Sequence, residues 1–161
     1  MLHKMILKGI TLDPTTNSPI IILKDQHGPS ILPIWIGIFE ANAIMIGLEK
    51  IKAPRPMTHD LIKNILDEMH VRIAKIIIDD LNENVFYATL YLKNGEQEFT
   101  IDARPSDAIA IALRAEAEIY VSSSVLEHSS VITEDTQDHE QDALRALLES
   151  MDPEDFGKYK M

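Results

Sequence analysis

Short apolar runs broken by turn residues constrain the fold of this chain more than any other feature. The runs His3–Leu12, Ile20–Lys24 and Ile31–Ile36 are separated by the turn-rich segments Asp13–Pro19 and Asp25–Pro29. Short runs rich in Ile and Leu, bounded by Asp, Pro and Gly, are typical of strands joined by tight connections. The spacing predicts an antiparallel three-stranded meander at the start of the chain.

A second group of strands is predicted in the middle of the chain. The runs Val71–Leu81 and Val85–Leu92 meet at Asn82-Glu83-Asn84, and a third run, Glu96–Ala103, follows Asn94-Gly95. Asn-Gly between two apolar runs is a strong hairpin signal, because both residues accept the positive φ of a tight turn. This region therefore predicts a second meander.

Helical spacing of apolar residues and capping residues predict four helices within residues 1–128. The predicted helices are Ile38–Ile51, Asp60–Met69, Asp107–Ala115 and a short one that ends near His128. Thr58 and Ser106 precede the second and third helices, where a hydroxyl side chain caps well. The fold class that follows is α+β, a two-layer arrangement in which helices pack on a mixed, largely antiparallel sheet.

Two Arg-Pro pairs, Arg55-Pro56 and Arg104-Pro105, lie in similar sequence contexts. Each is followed by a hydroxyl residue and by an Asp in the first turn of a predicted helix. This similarity between the two segments suggests an internal strand–loop–helix duplication, because repeated units keep their cap and loop residues.

Acidic charge is concentrated towards the C-terminal end. The net charge is −11, and residues 127–161 hold 3 Lys and Arg against 10 Asp and Glu. Leu144, Leu147 and Leu148 have helical spacing. We therefore expect one domain over residues 1–128 and an acidic C-terminal helical arm over residues 129–161. An acidic protein repels a phosphate backbone at long range, so nucleic acid would need a local basic site or a bound cation.

The composition also bears on the compartment and on reaction chemistry. The chain has no cysteine, which excludes disulfides, thiolate metal sites and a cysteine nucleophile. Lys4 and Lys8 interrupt the apolar N-terminus, so a signal-peptide core is not expected. No apolar run approaches the roughly 20 residues that cross a bilayer. These features predict a cytoplasmic protein without a membrane partner.

The first candidate cluster surrounds Arg55. Two flanking prolines stiffen the loop, so Arg55 is held at low entropic cost and suits a phosphate or carboxylate. His59 could transfer protons near neutral pH, and Asp60 could orient His59 or bind a divalent cation. The alternative is ordinary helix-start chemistry, in which Thr58 caps the helix and Asp60 complements its dipole.

The second candidate cluster surrounds Arg104. Asp102 ends a predicted strand and Asp107 opens a predicted helix, so the two carboxylates could share a cation if the loop brings them together. The alternative is a structural ion pair between Arg104 and either Asp102 or Asp60. No phosphate-binding glycine loop, Gly-x-Ser-x-Gly or His-Glu-x-x-His motif is present in the sequence.

Two further charged residues lie at helix ends. Glu40 falls in the first turn of the first predicted helix, and Arg114 falls at the end of the third. A negative charge at a helix start and a positive charge at a helix end both stabilise the helix dipole. Glu40 could also face the site.

Four segments together resemble the bifunctional nuclease domain family. They are PIWIGIFEANAI (Pro33–Ile44), PRPMTHDLI (Pro54–Ile62), FYATLYL (Phe86–Leu92) and DARPSDAIAIALR (Asp102–Arg114). Their order and spacing are similar to the family over about Met1–Leu126, and the second and fourth segments are highly specific.

The resemblance implies a mixed α/β domain, a homodimer or other homo-oligomer, and nuclease activity on RNA and DNA in some members. The candidate catalytic residues that it implies are Arg55, His59, Asp60, Asp102, Arg104 and Asp107, with Thr58 and Ser106 in the same loops. We therefore expect a nuclease acting on RNA or DNA, with Mg or Mn as an assisting cation. The alternative that stays open is a non-catalytic binding or regulatory module, whose Arg and Asp loops form a structural ion-pair network.

Overall fold

The structure is a computed structural model and describes residues 1–129 and 132–133. The elements in chain order are β1 (Leu2–Leu12), β2 (Pro19–Asp25), β3 (Ser30–Trp35), α1 (Ile38–Leu48), α2 (Thr58–Glu68), β4 (Arg72–Asn82), β5 (Val85–Asn94), β6 (Gln97–Ala103), α3 (Pro105–Ala115), β7 (Glu118–Ser122), α4 (Ser123–His128) and β8 (Ile132–Thr133). The predicted acidic arm therefore lies almost wholly outside the described residues. None of the described helices is long and apolar enough to span a bilayer.

One open sheet holds the strands. Seven strands lie in the order β6-β5-β4-β7-β1-β2-β3, and the two-residue strand β8 adds to the β3 edge. Neighbouring strands are antiparallel except β4 and β7, which are parallel. The predicted meanders are β1-β2-β3 and β4-β5-β6, and β7 joins them. The predicted α+β class with a mixed, largely antiparallel sheet is confirmed.

The hairpins of the second meander close through two-residue turns. Asn82 pairs with Val85, which leaves Glu83 and Asn84 as the turn, and both have positive φ. Asn94 pairs with Gln97, so the next turn consists of Gly95 and Glu96, with a φ of +61° at Gly95. It lies one residue later than the predicted Asn94-Gly95 turn, because Asn94 still belongs to β5. Local turn chemistry therefore sets the register of β4, β5 and β6.

Helix α3 is the central element of the helical layer. It packs on β4, β5 and β7, and both α1 and α2 pack against it. Its buried residues are mostly small or β-branched, namely Pro105, Ser106, Ala108, Ile109, Ala110, Ile111 and Ala112. Helix α2, by contrast, has no buried residue and packs mainly against α3. The position of α2 therefore depends on a small number of contacts with α3.

The helices begin earlier than predicted, so the assignment of Thr58 and Ser106 as caps was wrong. Met57 is the N-cap of α2, and the side chain of Asp60 reaches back to accept its N–H over 3.0 Å. Arg104 is the N-cap of α3 because Pro105 takes the first helical position, where its preset φ fits and its missing N–H costs nothing. Ser106 lies inside the helix and is buried.

Helix α1 ends at Leu48 and not at the predicted Ile51. Lys50 adopts a φ of +52°, and the N–H of Ile51 donates to the carbonyl of Ile46 over 3.1 Å. A left-handed residue followed by such a bond is the usual way to close a helix.

The two Arg-Pro pairs lie in different structural settings. Arg55-Pro56 follows helix α1, whereas Arg104-Pro105 directly follows strand β6. The described elements therefore do not repeat a strand–loop–helix unit around these pairs. A larger pattern does recur, because each three-stranded meander is followed by a helix, as β1-β2-β3-α1 and β4-β5-β6-α3.

Candidate active site

A chain of polar contacts joins the starts of the three long helices. His59 Nε2 on α2 lies 2.9 Å from Asp107 Oδ1 on α3. Arg104 donates from Nε to Asp107 Oδ2 over 2.9 Å and from Nη1 to Glu40 Oε1 on α1 over 3.0 Å. We call these four residues the His59 chain. These four residues can meet because α1, α2 and α3 all begin at the same end of the helical layer.

Asp107 is the centre of the His59 chain. Burial opposes its ionisation, but hydrogen bonds from Arg104 and His59 outweigh that effect and hold the pKa of the carboxyl below its ordinary value. An ionised carboxylate only accepts hydrogen bonds, so a neutral His59 places its proton on Nε2 and leaves Nδ1 as an acceptor. Arg104 in turn has a raised pKa, first because of its bond to Asp107 and then because of Glu40.

The His59 chain lines a cleft of about 680 Å³. The histidine side chain is 13 % exposed, whereas the side chain of Arg104 is 63 % exposed. The floor is apolar and is formed by side chains of all three long helices and of β5 and β6. The cleft therefore combines one proton-transfer group and one accessible cation with an apolar interior.

A second network holds the helices beneath this cleft. Arg114 Nε donates to Asp60 Oδ1 over 2.7 Å, and its terminal nitrogens donate to the carbonyls of Ala110 and Ala43 over 2.8 and 3.0 Å. The Arg114 side chain is 8 % exposed. Burial opposes ionisation of Asp60, but the Met57 N–H and Arg114 together lower the pKa of its carboxyl. One guanidinium thus connects α1, α2 and α3.

The structure brings together some of the predicted site residues and separates others. His59, Arg104 and Asp107 are in direct contact, and Asp102 borders the same cleft without a described ion pair. Asp60 belongs to the Arg114 network. Arg55 is exposed, does not line the cleft, and contacts no charged partner among residues 1–129 and 132–133.

The predicted partners of Arg104 and His59 were wrong. Arg104 pairs with Asp107 and Glu40 and not with Asp102 or Asp60, because Asp107 lies three residues further along the start of α3. Asp60 does not orient His59. Adjacent residues on a helix point about 100° apart, so His59 faces α3 at Asp107 while Asp60 faces Arg114.

Three residues of the cleft were not predicted as site residues. Glu40 was interpreted mainly as a helix-dipole residue, with a position facing the site as the alternative, and it does line the cleft. Arg114 carried only a helix-dipole signal, and Phe39 carried only the apolar signal of a helix face. Phe39 lines the cleft yet is 74 % exposed, which is unusual for a phenylalanine next to a buried layer. The positions of these three residues in the sequence, relative to the Arg-Pro loops, do not indicate that they lie at the same cleft.

The carboxylate oxygens that line the cleft are not arranged to bind a resident metal cation. Both oxygens of Asp107 are engaged by Arg104 and His59, and Oε1 of Glu40 is engaged by Arg104. Within the described part of the chain, no three His, Asp or Glu side chains are grouped so that they could hold a metal ion. Divalent cations need several carboxylate or carbonyl oxygens at once, so we derive no chemistry through Mg or Mn here.

Comparison with known proteins gives a consistent family assignment. The family model described as the bifunctional nuclease domain matches residues 21–134. An uncharacterized protein of Mycobacterium tuberculosis is 35 % identical over 157 residues, covering 92 % of this chain and 94 % of that protein.

Plant proteins named as nucleases are also similar. Bifunctional nuclease 1 of Oryza sativa subsp. japonica is 32 % identical over 106 residues, or 63 % of this chain and 32 % of the rice protein. Bifunctional nuclease 1 of Arabidopsis thaliana is 28 % identical, over 64 % of this chain and 33 % of that protein. The matches cover about a third of each plant protein.

Proposed function

The chain belongs to the bifunctional nuclease domain family, and from that premise we propose that it is a nuclease that cleaves phosphodiester bonds in RNA, DNA or both. The observation that carries the proposal is the contact of His59, Asp107 and Arg104 in one cleft. It supplies a proton-transfer group and a phosphate-binding cation side by side.

In this proposal His59 accepts the proton of the attacking hydroxyl, which is water or the 2′-hydroxyl of RNA, as that oxygen bonds to phosphorus. The bond between phosphorus and the leaving nucleoside oxygen breaks, and this oxygen takes a proton from the imidazolium or from water. Asp107 keeps the imidazole proton on Nε2 and stabilises the imidazolium that forms, so Nδ1 is the basic atom. None of the described side chains bonds to Nδ1. The pairing of a histidine with a carboxylate at the opposite nitrogen is a common way to fix both tautomer and orientation.

Arg104 contacts the phosphate in the same proposal. A guanidinium has five N–H donors, and Asp107 and Glu40 engage two of them. Among residues 1–129 and 132–133 the other donors have no partner, so they can bind a phosphate oxygen, and the exposed position of the side chain gives a substrate access. Charge that develops on the phosphate during attack would be stabilised by this cation.

A second candidate function rests on the Arg114 network. Arg114 and Asp60 form a structural ion pair, as expected of a binding or regulatory module whose charged loops only hold the fold. If the His59 chain has the same role, the cleft binds a ligand without cleaving it. A cytoplasmic location and assembly as a homodimer or other homo-oligomer stay predictions under either function.

The deciding experiment measures cleavage of single-stranded RNA and DNA by purified wild type and by His59→Gln, Asp107→Asn and Arg104→Met. Each assay is run with EDTA, with Mg²⁺ and with Mn²⁺, which tests the expected cation separately. We expect His59→Gln to lose about 10²- to 10⁴-fold in rate, the usual contribution of a positioned acid–base group.

His27→Gln is the matched control, because His27 is exposed and, within the part of the chain that the structure describes, bonds to Asp25 through its backbone N–H and not through its side chain. It should cleave at the wild-type rate. Equal rates in wild type and all three site variants would assign the cleavage to a contaminant and favour the binding module.

A further inference from the structure

The electrostatic character of the cleft limits what kind of nucleic acid it can take. Its charged lining consists of two arginines and three carboxylates, apart from His59. Arg114 is buried and engaged by Asp60 and two carbonyls, so only Arg104 is accessible to a phosphate. Binding of duplexes rests on many phosphate contacts, and a site with a single available cation cannot provide them.

The interior of the cleft suits a flat apolar group. Leu90, Leu92 and Ile101 come from the sheet, and Ile62 and Leu66 come from α2. The volume of about 680 Å³ lies in the usual range for sites that enclose a small organic ligand. A duplex keeps its bases stacked inside, so it presents its backbone and the edges of its bases to such a cleft but no base face. A single-stranded nucleotide can instead turn its base into it.

Phe39 supplies an aromatic surface at this cleft. It lies directly before Glu40, the residue that holds Arg104, and its side chain is 74 % exposed although it lines the cleft. Exposed aromatic rings beside a cation are the usual way in which proteins hold unpaired bases, since every base has a face that can stack.

We propose that the substrate of this site is a single-stranded nucleotide segment, with one base stacked on Phe39 over the apolar floor and the adjoining phosphate on Arg104. Duplex is not bound by this cleft. This inference rests on the proposed nuclease function for its reaction, but the binding it describes can be measured without cleavage.

The test measures binding of adenosine 5′-monophosphate and of ribose 5-phosphate by calorimetry, using wild type, Phe39→Ala and Phe39→Tyr. We expect the nucleotide to bind the wild type and Phe39→Tyr about 5- to 150-fold more tightly than ribose 5-phosphate, the range that base stacking provides. Phe39→Ala should lose that advantage. Because Phe39 is exposed, its replacement leaves the core intact.

Tyr87→Ala is the control, because Tyr87 is also an exposed aromatic residue but does not line the cleft. It should bind the nucleotide as wild type does. For a single-stranded oligonucleotide, the logarithm of the affinity should fall with the logarithm of salt concentration with a slope of about −0.7, which corresponds to one phosphate contact.

Competition with oligonucleotides completes the test. A single strand should displace the nucleotide, and the same strand annealed to its complement should not. Tighter binding of the duplex, or an unchanged nucleotide affinity in Phe39→Ala, would overturn the inference. If Phe39-dependent binding is found while no preparation cleaves nucleic acid, this inference stands and the nuclease function fails. If nucleic acid is cleaved but nucleotide binding does not depend on Phe39, the nuclease function stands and this inference fails.

Discussion

Arg114 Nε lies 2.7 Å from Asp60 Oδ1, and this contact joins the end of α3 to the first turn of α2. Asp60 follows His59 directly, so the same contact fixes the turn that carries the histidine. Since α2 has no buried residue, the ion pair is one of the few interactions that position His59 against Asp107.

Replacement of Arg114 by Met should destabilise the protein by about 1–3 kcal/mol, the usual cost of leaving buried acceptors without their donor. The larger cost of breaking a fully buried ion pair does not apply, because the side chain of Asp60 is 32 % exposed. Asp60 and the carbonyls of Ala43 and Ala110 would then lose their donor. Urea unfolding followed by circular dichroism measures the change. Arg72→Met, at an exposed position of β4, should change the free energy of unfolding by less than about 0.5 kcal/mol. A similar loss in both variants would contradict the structural role of Arg114.

Replacement of Gly47 by Ala should destabilise the protein, although Ala normally favours a helix by about 1 kcal/mol. A Cβ at Gly47 would lie 2.8 Å from Arg114 Nη1 and 3.3 Å from Leu113 Cβ. The guanidinium cannot move aside without losing its bonds to Asp60 and the two carbonyls. Overpacking of this kind costs about 1–3 kcal/mol. Thermal unfolding is the measurement, with Asn64→Ala on the exposed face of α2 as the control that should not be destabilised.

Stability should fall in acid partly because of Asp25. This buried carboxylate contacts His3 Nδ1 at 2.8 Å and accepts the His27 N–H at 3.0 Å. Burial opposes its ionisation, but the His27 N–H and His3 outweigh burial and lower the pKa of Asp25 below 3.8. The folded state therefore binds this proton less readily than the unfolded state. The stabilisation is present above the unfolded pKa and is lost as pH falls through the folded pKa.

Asp25→Asn should lower the free energy of unfolding at pH 7 and should reduce its further decrease below about pH 4. Urea unfolding at a series of pH values measures both effects. Asp67→Asn, at an exposed residue that pairs with Lys63, is the control and should change the free energy of unfolding at pH 7 by less than about 1 kcal/mol. An acid dependence identical in wild type and Asp25→Asn would show that Asp25 does not contribute.

Truncation tests the predicted boundary after residue 128. Ile132 and Thr133 pair with Ile31 and Ser30 at the β3 edge, so a chain ending at His128 loses this pairing and a chain ending at Glu134 keeps it. We expect both chains to fold, because the main hydrophobic core lies within residues 5–125. Circular dichroism reports folding and light scattering reports the oligomeric state. Failure of both chains to fold would refute a separable arm.

Local patterns were sufficient to predict most of the secondary structure. The turns at Glu83-Asn84 and Gly95-Glu96 contain Asn84 and Gly95, which have positive φ and are of types that accept it, and such preferences act within a few positions. Helix starts were less accurate, because the choice between Thr58 and Met57 as cap depends on where the Asp60 carboxylate reaches.

The sequence by itself determined the strands, the helices, the net negative charge and the residues from which a site could be built. Only the tertiary structure decided which of those residues meet. His59 and Asp107 are 48 residues apart, Asp60 and Arg114 are 54 apart, and Arg55 is left outside the cleft. The physical reason is that such contacts depend on how α1 and α2 pack against α3, and no short-range preference of the chain specifies that packing.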